Sequence, residues 1–149
     1  MSVPGHSFRG AATAKNLARF TRIPLPAKDL VRLLLYDPPL IDFRQSEVLL
    51  EDPYLVLRLT ESDLQQELLF DGHFHLSGCR YSWAGKIVLE VLYQKLDEQR
   101  RFPYTIRINL AAEKIKTALI FSGLQTNIEI PQDRFRLKNP GNIPLETLP

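Results

Sequence analysis

Hydrophobic positions along the chain follow two different periods. In residues 23–36, Leu30, Leu33 and Leu34 recur at the i, i+3, i+4 spacing of one helical stripe, with Val31 and Leu35 at its margins. Pro26 suits the first helical turn, where a missing N–H has no intrahelical partner. Asp37-Pro38-Pro39 ends the pattern, because neither proline continues a helical ladder. The prediction is an apolar helix of about three turns, marginal alone in water and obliged to pack on something. Beyond Pro39 the period becomes two. Leu55, Leu57 and Leu59 alternate over 54–60 and share one face of a strand. Further strands are predicted over 64–70, 73–83, 86–96, 104–110, 115–121 and 127–130. Between them stand Asp71-Gly72, Ala84-Gly85, Phe102-Pro103 and Gly123, which form turns or break strands. Asp71-Gly72 reads as the centre of a two-residue hairpin. Val88, Val91, Leu92 and Lys95 also fit a helical face, so 87–96 has a helical alternative; the turns on either side favour the strand.

Successive strands without room for crossover helices imply an antiparallel meander. One face carries apolar residues and needs a cover. A twisted antiparallel sheet supplies part of it by curling, and a helix supplies the rest. The expected class is mainly β: a curved antiparallel sheet, or unclosed half-barrel, with a short amino-terminal helical lid whose Leu30, Leu33 and Leu34 point at the concave face. Residues 1–149 are expected to form a single domain. Within it, 1–39 make a basic helical lid region, 40–141 the sheet and 142–149 a tail.

Composition narrows the function classes. The chain has 149 residues, 44% apolar and 24% charged, which excludes wholesale disorder, and its net charge of +2 gives no support to nucleic-acid binding. Cys79 is the single cysteine, so an internal disulfide is excluded. Residues 1–36 hold six bases against Asp29 alone, +5, while 37–149 sum to −3. A basic segment suits anionic lipid or an acidic partner, although a solvated surface explains it more simply. No apolar run is long enough for a membrane-spanning helix. Residues 1–10 lack the apolar core of an export signal.

Candidate chemistry is sparse. Asp71, His73, His75, Ser77 and Cys79 alternate and would share a face of one regular strand, an arrangement with zinc-binding side chains. A straight ladder does not wrap an ion, however, and Gly72 and Gly78 disturb it. The simpler expectation turns Phe74 and Leu76 inward and both histidines to solvent. Cys79 has no activating pattern around it, and the acidic pairs Glu51-Asp52 and Asp97-Glu98 read as solvated turns. Tyr81 and Trp83 share a strand face and fit ordinary packing. Arg100-Arg101 with Arg107 read as a solvated turn before an anion patch. No Gly-rich phosphate loop or serine elbow occurs. Neither an enzyme nor a metal or cofactor site is expected.

The order and spacing of several segments resemble the carboxy-terminal part of periplasmic lipoprotein carriers of the LolA/LolB type, and in particular an uncharacterised lipoprotein branch of that superfamily in Gram-negative bacteria. The residues that carry the resemblance are Leu17-Ala18-Arg19-Phe20, Ile23-Pro24-Leu25-Pro26, the leucines from 30 to 35, and Pro38-Pro39-Leu40. Later come Phe102-Pro103 before Tyr104-Thr105-Ile106-Arg107-Ile108, and the closing Phe135-Arg136-Leu137-Lys138-Asn139-Pro140-Gly141. There is no lipobox cysteine near the start, and the family's first strands have no counterpart, so the chain is expected to be part of a larger lipoprotein. The resemblance implies an unclosed barrel, plugged by helices, that holds acyl chains in the periplasm or at the inner face of the outer membrane. Alternation and the resemblance together put Leu57, Leu59, Phe70, Phe74, Leu76, Val88 and Ile106 on or near the concave face beneath Leu30, Leu33 and Leu34. The expected partner is a lipid or lipoprotein acyl chain. A second expectation is an assembly subunit, with exposed sheet edges pairing in a homodimer or with another chain.

Overall fold

The computed structural model describes every residue except 1, 4–5, 22–24, 98–101, 112–113, 124, 126, 136–143 and 149. The chain divides into two compact units, Met1–Ala27 with Leu124–Pro149, and Lys28–Gly123. These boundaries differ from the sequence-derived ones at 39/40 and 141/142. Arg100-Arg101 and most of the closing segment 135–141 lie outside the described residues.

In the first unit, β1 (Ser2–Val3) pairs antiparallel with β2 (His6–Arg9), followed by α1 (Ala14–Thr21) and a 3-10 turn at Gln132–Phe135. The backbone N–H of Asn16 donates to the Thr13 hydroxyl at 3.2 Å, capping the start of α1. The segment expected to be a tail is a strand in part: β10 (Leu145–Thr147) pairs in parallel with β2. Short-range pattern gave no sign of it, because its partner lies at the opposite end of the chain.

The second unit is a seven-stranded antiparallel sheet in sequential order. Its strands are β3 (Gln45–Glu51), β4 (Tyr54–Glu61), β5 (Leu64–Phe70), β6 (Leu76–Trp83), β7 (Lys86–Leu96), β8 (Pro103–Leu110) and β9 (Ile115–Ile120). The sheet does not close on itself; β3 and β9 are its edges. The mainly-β class, the unclosed antiparallel sheet and the short helix are as expected, and 86–96 is a strand. Three details are corrected. β3 is an additional strand, β6 begins at Leu76 instead of 73, and 127–130 carry no strand. Among the described residues no helix is long and apolar enough to cross a membrane.

Two glycine-dependent features fix the middle of the sheet. Ala84 (φ 47°) and Gly85 (φ 74°) both take left-handed backbone, the conformation that a tight two-residue hairpin between β6 and β7 requires. A Cβ at Gly78 would stand 2.6 Å from the Val91 carbonyl oxygen, so β6 and β7 approach closely only with glycine there.

Register separates the two faces. Directly opposed residues point to the same side. One cross-strand row runs Val48, Leu57, Leu68, Cys79, Val91, Ile108 and Thr117. The next row, displaced by one residue and facing the other way, runs Glu47, Arg58, Glu67, Arg80, Glu90, Asn109 and Lys116. Its charges alternate and pair: Arg58 reaches Glu47 at 3.0 Å and Glu67 at 2.8 Å. Arg80 reaches Glu67 at 3.4 Å and Glu90 at 3.1 Å. Each cross-strand ion pair contributes about 0.2–1 kcal/mol. Their linkage in one row also opposes slippage.

The helix expected as a lid is α2 (Ala27–Leu34). Leu33 is buried at 1% exposure, Leu30 and Leu34 are half-buried, and Val31 and Leu35 face outward. Its end is fastened to the apolar face by tyrosines. Tyr93 donates its hydroxyl to the Leu33 carbonyl at 3.0 Å, and Tyr36 donates to the Leu76 carbonyl at 2.6 Å. The two rings meet edge to face at 4.9 Å. The chain leaves the helix in a Schellman turn: Tyr36 N–H donates to the Leu33 carbonyl, Asp37 N–H donates to that of Arg32, and Tyr36 takes φ 65° where glycine is usual. Arg32 donates to both Asp37 carboxylate oxygens, at 2.8 and 3.2 Å.

Leu33→Ala is expected to lower unfolding free energy by about 2–5 kcal/mol. Leu35→Ala, on the exposed side, should change it by no more than about 0.5 kcal/mol. Urea denaturation followed by circular dichroism measures both.

Candidate binding groove

The ten residues assigned to a cavity fall into separate places. Leu33, Leu59 and Ile106 are filled-in core, each at 2% exposure or less. Leu30 and Leu34 are half-buried on α2, and Leu76 is half-buried at the start of β6. Val88 does not join them. It lies at the irregularity where β7 slips against Tyr81 and Ser82, and it is an exposed residue beside buried Leu89. Counted from buried Leu89, Val91 and Tyr93, Val88 falls with Glu90 and Leu92 on the opposite face of β7.

Leu57, Phe70 and Phe74 do come together. With Val48 and Leu55 they line an open groove of about 230 Å³ toward the β3 edge of the apolar face, with no charged side chain in its lining. Val48 is 64% exposed and Phe74 75%. A second depression of about 420 Å³ shares Leu55 and Phe74 with it and adds Leu50, Pro53 and Tyr54, together with the carboxylates of Asp52 and Asp71. Leu50, opposite Leu55 in register, is 87% exposed. Val48 and Leu50 escaped the sequence reading. The signal was the run Val48-Leu49-Leu50 ending at Asp52-Pro53, a strand followed by a turn.

Phe74 reaches the groove through its loop. The expected two-residue turn at Asp71-Gly72 is instead a five-residue loop, 71–75, organised by Asp71. Its carboxylate accepts the N–H groups of His73 at 2.8 Å and His75 at 2.9 Å, and lies 3.3 Å from His75 Nδ1. Its own N–H donates to the His75 carbonyl. These donors, the His75 amide first, hold the Asp71 carboxyl below its usual range. Phe74 sits at φ 62° and points outward, contrary to the inward orientation expected. The loop also removes Asp71, His73 and His75 from the regular strand face on which zinc binding would depend. Among the described residues no group of three such side chains could hold a metal.

On the covered part of the face the polar groups are used for fastening. Gln66 is fully buried; its side chain accepts the Ile41 N–H at 3.0 Å and donates to the Pro39 carbonyl and the Tyr81 hydroxyl, both at 2.9 Å. Tyr81 donates in turn to the Pro39 carbonyl at 2.7 Å. Cys79 is fully buried between Leu68 and Val91, and burial raises its thiol from 9.0 to about 12. It is a packed side chain with no thiolate at neutral pH.

Burial likewise raises Tyr81 and Tyr93 above the usual phenol value. The folded state therefore keeps protons that the unfolded chain releases. The stability these groups contribute is fully present below pH 9 and is lost as pH rises toward 12, over the window set by Cys79 with the tyrosines adding in the same direction. The urea midpoint is expected to decline progressively from pH 9 to pH 11, and Cys79 should resist thiol reagents until the domain unfolds.

Comparison with protein-family models, with curated proteins and with solved structures found no match to this chain.

Proposed function

We propose that this chain is a non-enzymatic binding module whose open apolar groove takes a hydrocarbon chain, as the acyl group of a lipid or lipoprotein. The observation that carries this reading is the groove of Val48, Leu55, Leu57, Phe70 and Phe74, wholly apolar in its side chains and open at Phe74. Such a surface gains by covering hydrocarbon and offers little to a polar ligand. The bound portion lies on the uncovered part of the sheet, because the part near Leu33, Leu59 and Ile106 is filled by side chains. The resemblance to LolA/LolB-type carriers supports the same chemistry. It makes the bacterial envelope, in the periplasm or at the inner face of the outer membrane, the setting in which the module works.

A fluorescent fatty-acid titration tests the reading. Saturable binding is expected, strengthening by roughly 0.8 kcal/mol per added methylene until the groove is full. Because Phe74 is exposed, Phe74→Asp should abolish binding while leaving the thermal transition within a few degrees. Absence of saturable binding by the wild type overturns the proposal.

A second reading is favoured by one observation: β3 pairs only with β4 among the described residues. Its outer edge is a seven-residue strand with Val48 and Leu50 beside the groove. A strand added there, from a second copy or another chain, would extend both the ladder and the apolar face. Light scattering should then show a dimer that Val48→Lys dissociates. A monomer at high concentration removes self-pairing.

A further inference from the structure

On the opposite face of the sheet the alternating row of charges changes character. From Glu47 to Glu90 every base is flanked in register by acids. Beyond Glu90 the row continues as Asn109 on β8 and Lys116 on β9, so Lys116 ends it with an amide for a neighbour. One row further along, Arg107 stands between Leu92 on β7 and Ala118 on β9. Its Nε donates to Gln94 Oε1 at 2.9 Å, a neutral partner. Among the described residues no carboxylate lies within ion-pair distance of Arg107 or Lys116. Both are exposed. Glu90, the nearest acid in register, is already held by Arg80 at 3.1 Å.

These residues surround a depression of about 370 Å³ lined by Glu90, Leu92, Arg107, Asn109, Lys116 and Ala118 among others. The small side chain of Ala118, opposite Arg107, leaves the space open. Arg107 and Lys116 are diagonal neighbours across β8 and β9, a separation of about 7–8 Å between backbone positions that long side chains readily bridge. Both cations border the depression, and Asn109, opposite Lys116 in register, brings an amide to the same lining.

We propose that this depression is a binding site for a phosphate-type oxyanion, with Arg107 and Lys116 as its charged contacts and Asn109 as a hydrogen-bond donor. Leu92 and Ala118 give the floor an apolar part, on which the body of an organic phosphate rests. Arg107 supplies the planar donor fork that suits phosphate, and Lys116 acts as a mobile point charge. The site lies on the face away from the apolar groove and does not depend on what the groove holds.

Free phosphate and a lipid headgroup share this chemistry, and the full chain distinguishes them. Inorganic phosphate is titrated calorimetrically, and vesicles of phosphatidylglycerol are compared with vesicles of phosphatidylcholine by flotation. The wild type is expected to bind phosphate or phosphatidylglycerol saturably. R107Q/K116Q should weaken that binding by about tenfold or more, since each lost contact is one to a charged group. K86Q/K95Q, which removes two exposed lysines elsewhere on β7, should leave it within about twofold, a difference small on the free-energy scale. Loss of phosphate binding in R107Q/K116Q identifies a free-anion site. Loss confined to phosphatidylglycerol vesicles identifies a headgroup site, and either result supports the proposal. Binding that is absent in the wild type, or equal in R107Q/K116Q, overturns it. The substituted side chains are exposed, so matched thermal transitions confirm that the comparison is between folded proteins.

Discussion

A buried amide organises the covered half of this sheet. Gln66 stands in the apolar row between Leu59 and Tyr81, where an unpaired amide would cost several kcal/mol. It is satisfied only if residues 39–41 lie directly over it, since its three partners are the Pro39 carbonyl, the Ile41 N–H and the Tyr81 hydroxyl. Proline at 38 and 39 removes two backbone donors from this stretch and leaves its carbonyls needing partners. The Pro39 carbonyl accepts from both Gln66 and Tyr81. Polar demand within the sheet and polar supply from the crossing segment therefore meet at one place. That match positions the chain leaving α2 more specifically than leucine burial, which has no direction.

The sheet beneath is held in register by two rows that differ by a single residue. Val48, Leu57, Leu68, Cys79 and Val91 lie on one side, and Glu47, Arg58, Glu67, Arg80 and Glu90 on the other. A slip of one position would send carboxylates and guanidinium groups under α2 and leucines into water. Apolar burial and ion pairing thus select the same alignment. The apolar row is covered over its middle but left open toward β3, and the charged row is neutralised over its middle but left cationic toward β9.

The sequence revealed those features that depend on neighbours within a few positions. Leu55, Leu57 and Leu59 alternate cleanly, and Leu30, Leu33 and Leu34 share a helical face, so both elements and their inward sides were legible. β3 was less so, because Val48-Leu49-Leu50 is a short apolar run without alternation. β10 was invisible, since its parallel partner β2 lies at the other end of the chain. Within the groove, Leu57 and Phe70 followed from strand period. Phe74 reached it by a route that period did not describe, a loop closed by the Asp71 carboxylate. Val88 lies on the face of Glu90 and Leu92, opposite buried Leu89 and Val91, and the roles of Gln66, Tyr81 and Tyr93 needed partners from a segment that pattern alone did not bring across the sheet.

The hydrogen bond from Tyr36 to the Leu76 carbonyl joins two regions described separately. Tyr36 occupies the left-handed position that ends α2, and Leu76 begins β6 immediately after the loop that presents Phe74. Leu76 also faces Phe70, where the β5–β6 ladder shifts register. The helix terminus and one wall of the groove consequently share an anchor. Opening of the helix end would remove the Tyr36 hydrogen bond from the Leu76 carbonyl, next to the base of the loop. The groove and its neighbouring cover are accordingly expected to open as one cooperative unit, exchanging their amide hydrogens together and ahead of the ion-paired centre of the sheet.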